Sequence, residues 1–257
     1  MTSRCPTGRT SCTPRTPRTR PSARSRSGSP TSEQRGGYAR AMSAIGILGT
    51  GMVGRAFARR LSDLGRDVLV GARSADSASL APFGELGVRT GSFADAAAHA
   101  DLLVNATNGI NSLSVMESIG ADVLSGKTVV DLSNELDPNR AGPPWLAAPD
   151  RSIGRRLQES FPETYVVKSL NTMNCDVMVD PSIVPGDHVV FLSGNDEAAK
   201  ARVREFLALL GWRDVQMIDL GGIETAVMTE MMMPVWIGLM SVRGGHDFHY
   251  NWIISSP

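Results

Sequence analysis

The sequence predicts an α/β fold, a doubly wound parallel sheet followed by a smaller C-terminal α/β segment. Three observations carry that expectation. Ile45 to Leu48 form a short apolar run, long enough for a buried parallel strand. Gly49, Gly51 and Gly54 follow at once in G-x-G-x-x-G spacing, and Val53, Phe57, Leu61 and Leu64 then recur at helical intervals up to Gly65, a C-terminal stop. A second apolar run, Val68 to Val70, completes a βαβ unit of the Rossmann type, with the usual length of ~30 residues.

Each glycine has a physical task in such a unit. Gly49 makes the tight turn off the strand, Gly51 lets the backbone approach a pyrophosphate, and Gly54 lets the helix pack closely on the sheet. The helix N-terminus offers free N–H groups and a positive dipole end to the phosphates. The end of the second strand then selects the nucleotide. An NAD site places an acid there for the ribose 2′-hydroxyl. This chain has Gly71-Ala72-Arg73-Ser74 and no acid, while Asp67 precedes the strand. A guanidinium beside a hydroxyl suits a 2′-phosphate, so the expected nucleotide is NADP(H).

The remaining elements follow in order. A helix is expected around Ser77–Leu86, a weak element near Val88–Thr90, and a short helix over Phe93–His99. A fourth strand starts at Asp101 and ends at Asn105-Ala106-Thr107-Asn108. These residues should lie beside the nucleotide, because ligands bind outside the carboxyl ends of such strands. Lys127–Leu132 is a fifth strand leading into Ser133-Asn134-Glu135, and Pro138–Pro149 is a loop. Ser152–Ser160 reads as a helix, and Tyr165–Leu170 as a sixth strand ending at Asn171. His188–Leu192 and Val215–Leu220 are further strands around a helix that opens at Ser193-Gly-Asn-Asp-Glu197 and stops at Gly211. A methionine-rich helix from Ile223 to Met240 should be kinked or divided by Pro234. Its Met228, Met231, Met232, Met233 and Trp236 suit a core or subunit interface, and alternatively an apolar wall for a flat cofactor. The expected organisation is thus a basic tail (1–41), a nucleotide domain (42–174) and a smaller acceptor-side domain (175–257).

A formal net charge of zero hides an asymmetry. Residues 1–41 hold nine Arg and one acid, Glu33, so the rest is net acidic and offers no basic face for nucleic acid. With almost no apolar content the tail should not fold. It reads as a basic arm, as a targeting peptide, or as an upstream extension with Met42 starting the folded protein. Cys5, Cys12 and Cys175 are odd in number and lack metal-ligand spacing, which favours a reducing, cytoplasmic setting. His246 and His249 flank Asp247, but no second cluster completes a metal site. No stretch of 18 uninterrupted apolar residues suggests a membrane span. The Met/Trp helix makes a homodimer the expected assembly.

The order of motifs resembles the coenzyme F-420-dependent NADP oxidoreductase family, whose nucleotide domain is shared with cytosolic domains of six-transmembrane ferric reductases. The matching pieces are Ile47-Leu-Gly-Thr-Gly-Met-Val-Gly54, Gly71-Ala-Arg-Ser74, Val167-Lys-Ser-Leu-Asn171, Ser193-Gly-Asn-Asp-Glu197, Leu210-Gly-Trp212, Asp219-Leu-Gly-Gly222 and Glu230…Pro234-Val-Trp236. The resemblance runs from Ser43 to Met240. It implies pyrophosphate contacts at Gly49, Thr50, Gly51, Met52 and Val53, and 2′-phosphate contacts at Arg73 and Ser74. It also implies a deazaflavin (F-420) or flavin-type acceptor in a cleft beside the C-terminal segment. The N-terminus, the loop between strands five and six and the residues after Val242 depart from the family pattern.

Hydride transfer between two cofactors needs alignment rather than a protein nucleophile, so no catalytic residue is expected. Asn105, Thr107, Asn134 and Asn171 are the candidates for positioning the nicotinamide or the acceptor, and Lys168 either faces the acceptor or lies on the sheet surface. Reduction of a small imine or carbonyl is the rival chemistry. It needs a proton donor such as Tyr, and Tyr38, Tyr165 and Tyr250 do not sit at crevice-facing strand ends. A non-catalytic NADP-binding sensor is the third reading.

Overall fold

The computed structural model describes residues 44–137, 139, 142, 143, 146 and 151–255. The expectations for residues 1–41, for Met42 and for most of the Pro138–Pro149 loop lie outside them.

Strand β1 (Ala44–Leu48), helix α1 (Met52–Asp63) and strand β2 (Asp67–Ala72) form the first βαβ unit as read from the sequence. A single helix over Ser77–Leu86 does not form. A 3-10 turn (Ala78–Leu80) runs into the short α2 (Ala81–Gly84), because Pro82 fits only the first turn of a helix. Next come β3 (Arg89–Ser92), α3 (Phe93–His99) and β4 (Leu102–Asn105). Ser92 and Asp95 cap α3 reciprocally, with the Asp95 N–H on Ser92 Oγ at 3.1 Å and the Ser92 N–H on Asp95 Oδ2 at 2.8 Å.

Two helices absent from the sequence reading follow, α4 (Gly109–Ile119) and α5 (Ala121–Leu124). The chain continues through β5 (Thr128–Asp131), α6 (Ile153–Ser160), β6 (Tyr165–Ser169) and a third unforeseen helix, α7 (Cys175–Val179). It ends with β7 (Val190–Gly194), α8 (Glu197–Leu210), β8 (Met217–Asp219), α9 (Ala226–Glu230) and α10 (Met233–Arg243). The methionine-rich run is divided at Met231–Met232, just ahead of Pro234 in the first turn of α10. His188 falls outside β7 and makes an isolated bridge to Ile253.

The sheet has eight strands in the order β3-β2-β1-β4-β5-β6-β7-β8. The first six are parallel, which gives the 3-2-1-4-5-6 arrangement of a dinucleotide-binding sheet. β7 pairs with β6 antiparallel, and β8 pairs with β7 parallel, so the last two strands extend the same sheet in the opposite direction. Alternate strand residues feed two cores. Ile45, Ile47, Val104 and Val167 meet α1, α7 and α8 on one face, and Leu103, Val129 and Val166 meet α3, α4 and α6 on the other. The order of the strands reverses between β1 and β4. The crevice at their carboxyl ends opens there.

Candidate functional site

The glycine turn after β1 is held open by geometry. Gly49 has φ +118°, and a Cβ there would lie 2.8 Å from the Ala106 carbonyl oxygen. A Cβ on Gly54 would strike the Gly49 carbonyl oxygen, whereas one on Gly51 would meet no atom within 4 Å. Gly51 is the N-cap of α1 and supplies no side-chain cap, and the first turn carries no acid. The opening N–H groups of α1 therefore point, with the positive end of the dipole, into open space that an anion would fill. That arrangement fits a pyrophosphate.

The ends of β4, β5 and β6 form a buried polar floor beside it. Asn105, fully buried, donates from Nδ2 to Asp131 Oδ1 at 2.8 Å and accepts from Thr107 Oγ1 at 2.6 Å. Ser133 Oγ also donates to Asp131 Oδ1, at 2.7 Å. Asn134 and Asn171 pair across the crevice: Asn171 Nδ2 donates to Asn134 Oδ1 at 3.1 Å, and Asn134 Nδ2 donates to the Asn171 carbonyl at 3.0 Å. Leu170, just before Asn171, is the one described non-glycine residue with positive φ, +62°. A left-handed Leu costs roughly 1–2 kcal/mol, and here it turns the chain off β6 so that Asn171 faces the crevice.

Floor and glycine turn share a cleft of about 1010 Å³. Gly51, Met52, Val53, Ala106, Thr107, Asn134 and Asn171 line it, while Gly49, Thr50, Gly54 and Asn105 do not. Met233 and Trp236 of α10 form one wall, and Asn134 Nδ2 lies 3.2 Å from Met233 Sδ. The lining also includes Arg55, Arg59 and Arg60 from α1, together with His246, Asp247 and His249 from the C-terminal arm, whose Phe248 stacks on Trp236 at 5.8 Å. Those arginines went unread in the sequence, although their i, i+4 and i+5 spacing already puts them along one helix. His249 Nε2 lies 3.4 Å from Asp176 Oδ2, and the described residues hold no group of three metal-binding side chains.

Arg73 and Ser74 follow β2 at the surface, outside this cleft. The Ser74 hydroxyl donates to Asp76, so it must turn away from that carboxylate to meet a phosphate. Lys168 is on neither expected side. It is buried, 2.9 Å from Asp131 Oδ2 and 3.0 Å from Glu230 Oε1. Burial alone would lower its pKa, but the Asp131 and Glu230 carboxylates outweigh burial and hold it above the ordinary lysine value. Glu230 entered the sequence reading only as part of the Glu230…Pro234-Val-Trp236 match, with no role assigned; an acid set among Met228, Met231, Met232 and Met233 was the available signal.

A family model described as NADP oxidoreductase, coenzyme F-420-dependent, matches residues 44–135. A crystal structure from Arthrobacter sp. FB24, provisionally assigned as an F-420-dependent NADP-reductase, shares 44% identity. The match covers 83% of this chain and 100% of that one, with a TM-score of 0.74. An imine reductase from Streptomyces aurantiacus (16% identity, TM-score 0.57) and a reductive aminase from Aspergillus terreus in complex with NADPH (20%, 0.56) share the fold alone. This chain covers 63% and 62% of their lengths, and 78% and 79% of it is matched. The chain belongs to the coenzyme F-420-dependent NADP oxidoreductase family and is an NADP-dependent oxidoreductase of the Rossmann type.

Proposed function

We propose that the protein transfers hydride between NADP(H) and a deazaflavin, coenzyme F-420. The observation that carries this reading is the shape of the cleft: a phosphate-ready helix terminus, an amide-rich floor and an apolar Met233–Trp236 wall in one continuous space. On this reading the pyrophosphate lies on the N–H groups of Met52 and Val53, and Arg73 takes the 2′-phosphate. The nicotinamide lies over Thr107 and the Asn134–Asn171 pair. The acceptor ring lies between it and the wall. With both bound, NADPH would supply the hydride, and the acceptor's conjugated ring would take it up together with one proton from solvent. The protein's part is to hold the two rings in line, which is the contribution such chemistry asks of it.

The test is anaerobic mixing of the protein with NADPH and oxidised F-420, following loss of the deazaflavin absorbance. Fast bleaching with NADPH and little with NADH is expected. NADPH binding without bleaching would remove the deazaflavin and move the search to flavins and small imines or carbonyls.

A further inference from the structure

Lys168 is 1% exposed, and its contacts come from two different elements, the strand-end floor and the helix α9 that precedes the wall. Asp131, at 2.9 Å, and the Ser133 carbonyl, to which the ammonium also donates, belong to the floor. Asp131 is in turn bonded to Asn105, and Asn105 to Thr107, which lines the cleft. Glu230, at 3.0 Å, belongs to α9, the helix that leads into the wall. It ends α9 three residues before Met233, and its carboxylate accepts from Ser152 Oγ at 2.9 Å and from the N–H groups of Ile153 at 3.0 Å and Gly154 at 3.1 Å. A well-packed apolar cluster stabilises as well as a buried ion pair or better. What an ion triad adds is direction and a fixed separation between the groups it joins.

We propose that Lys168 is a positioning residue: through Asp131 and Glu230 it sets the distance between the Thr107 floor and the Met233–Trp236 wall, and so the gap that holds the acceptor ring against the nicotinamide. The inference rests on the proposed function. Lys168 touches neither cofactor and acts through the groups it ties together. Transfer between two rings depends steeply on their separation, and a ~1 Å displacement can cost on the order of 100-fold in rate.

Glu230→Gln keeps an oxygen for the N–H groups of α6 and removes the charge facing Lys168. Lys168→Met alone would leave two buried carboxylates unpaired and fold poorly, so it is made together with Glu230→Gln. In both variants the KM for F-420 should rise about tenfold with kcat falling, while the NADPH Kd, read by nucleotide fluorescence, stays within about twofold. Unchanged KM and kcat in folded variants would overturn the proposal, as would an NADPH Kd that rises in step with the acceptor KM. Amide hydrogen exchange supplies a readout independent of turnover: residues 226–243 should exchange faster in Glu230→Gln while β1–β4 keep their protection. Exchange that is unchanged, or faster throughout the sheet, would overturn it. Should the unaltered protein not reduce F-420, the proposed acceptor falls and the exchange experiment alone decides the role of Lys168.

Discussion

Arg73 and Asp76 lie three residues apart beyond the end of β2, one cationic and one anionic, at the place where the ribose 2′-phosphate is expected. Arg73→Ala should lower kcat/KM for NADPH by about 30-fold, the worth of one charge-assisted bidentate contact, and leave NADH almost untouched. An unchanged preference would remove Arg73 from the nucleotide site. Asp76→Asn should act the other way and improve NADPH use about threefold, by taking a like charge from the phosphate and freeing Ser74. The arginine was legible because its place after an apolar strand is a sequence property. The Ser74–Asp76 bond was not, since it depends on the dihedrals of the loop between them. Lys168 shows the same division: a charge inside Val166-Val-Lys-Ser stands out in the sequence, but Glu230 lies 62 residues further on and only the fold brings it near.

At the scale of elements, Gly51 and Gly54 separate binding from folding. Gly51→Ala puts a methyl group into open space, so its Tm should move by no more than ~2 °C while the NADPH Kd rises at least tenfold. Gly54→Ala drives a methyl group into the Gly49 carbonyl and should destabilise the fold by about 1–3 kcal/mol, read by denaturant unfolding. A Gly51→Ala protein with native NADPH affinity would show that the phosphates lie elsewhere. The first βαβ unit was legible because strand, glycines and helix adjoin in the chain. α4 was not, because Ile110, Leu113 and Met116 are interleaved with Asn and Ser and its apolar face is weak. Nor does a strand's own pattern reveal its direction. β7 reads as one more buried strand, yet it runs against β6.

Across the whole molecule, the continuous sheet joins both halves of the chain, so heating should give one cooperative transition by calorimetry. NADPH at 100 times its Kd should add about 2.7 kcal/mol and raise the Tm by roughly 5–10 °C. Two transitions, only one of them moved by NADPH, would show that residues 175–257 unfold on their own. The buried triad also predicts an alkaline limit. Lys168 has a raised pKa in the folded state, so its contribution is complete below the ordinary value of 10.5 and is lost as the pH rises through the raised one. Tryptophan fluorescence should show less dependence of stability on pH above that value in Lys168→Met/Glu230→Gln than in the unaltered protein. The exposure of Arg73 has its own consequence. Charges in water are screened over about 8 Å at physiological ionic strength, and groups inside a cleft far less. Added salt should therefore erode the preference for NADPH over NADH without slowing the hydride step itself. Nucleotide choice becomes a property of the surrounding electrolyte, while the chemistry stays a property of the cleft.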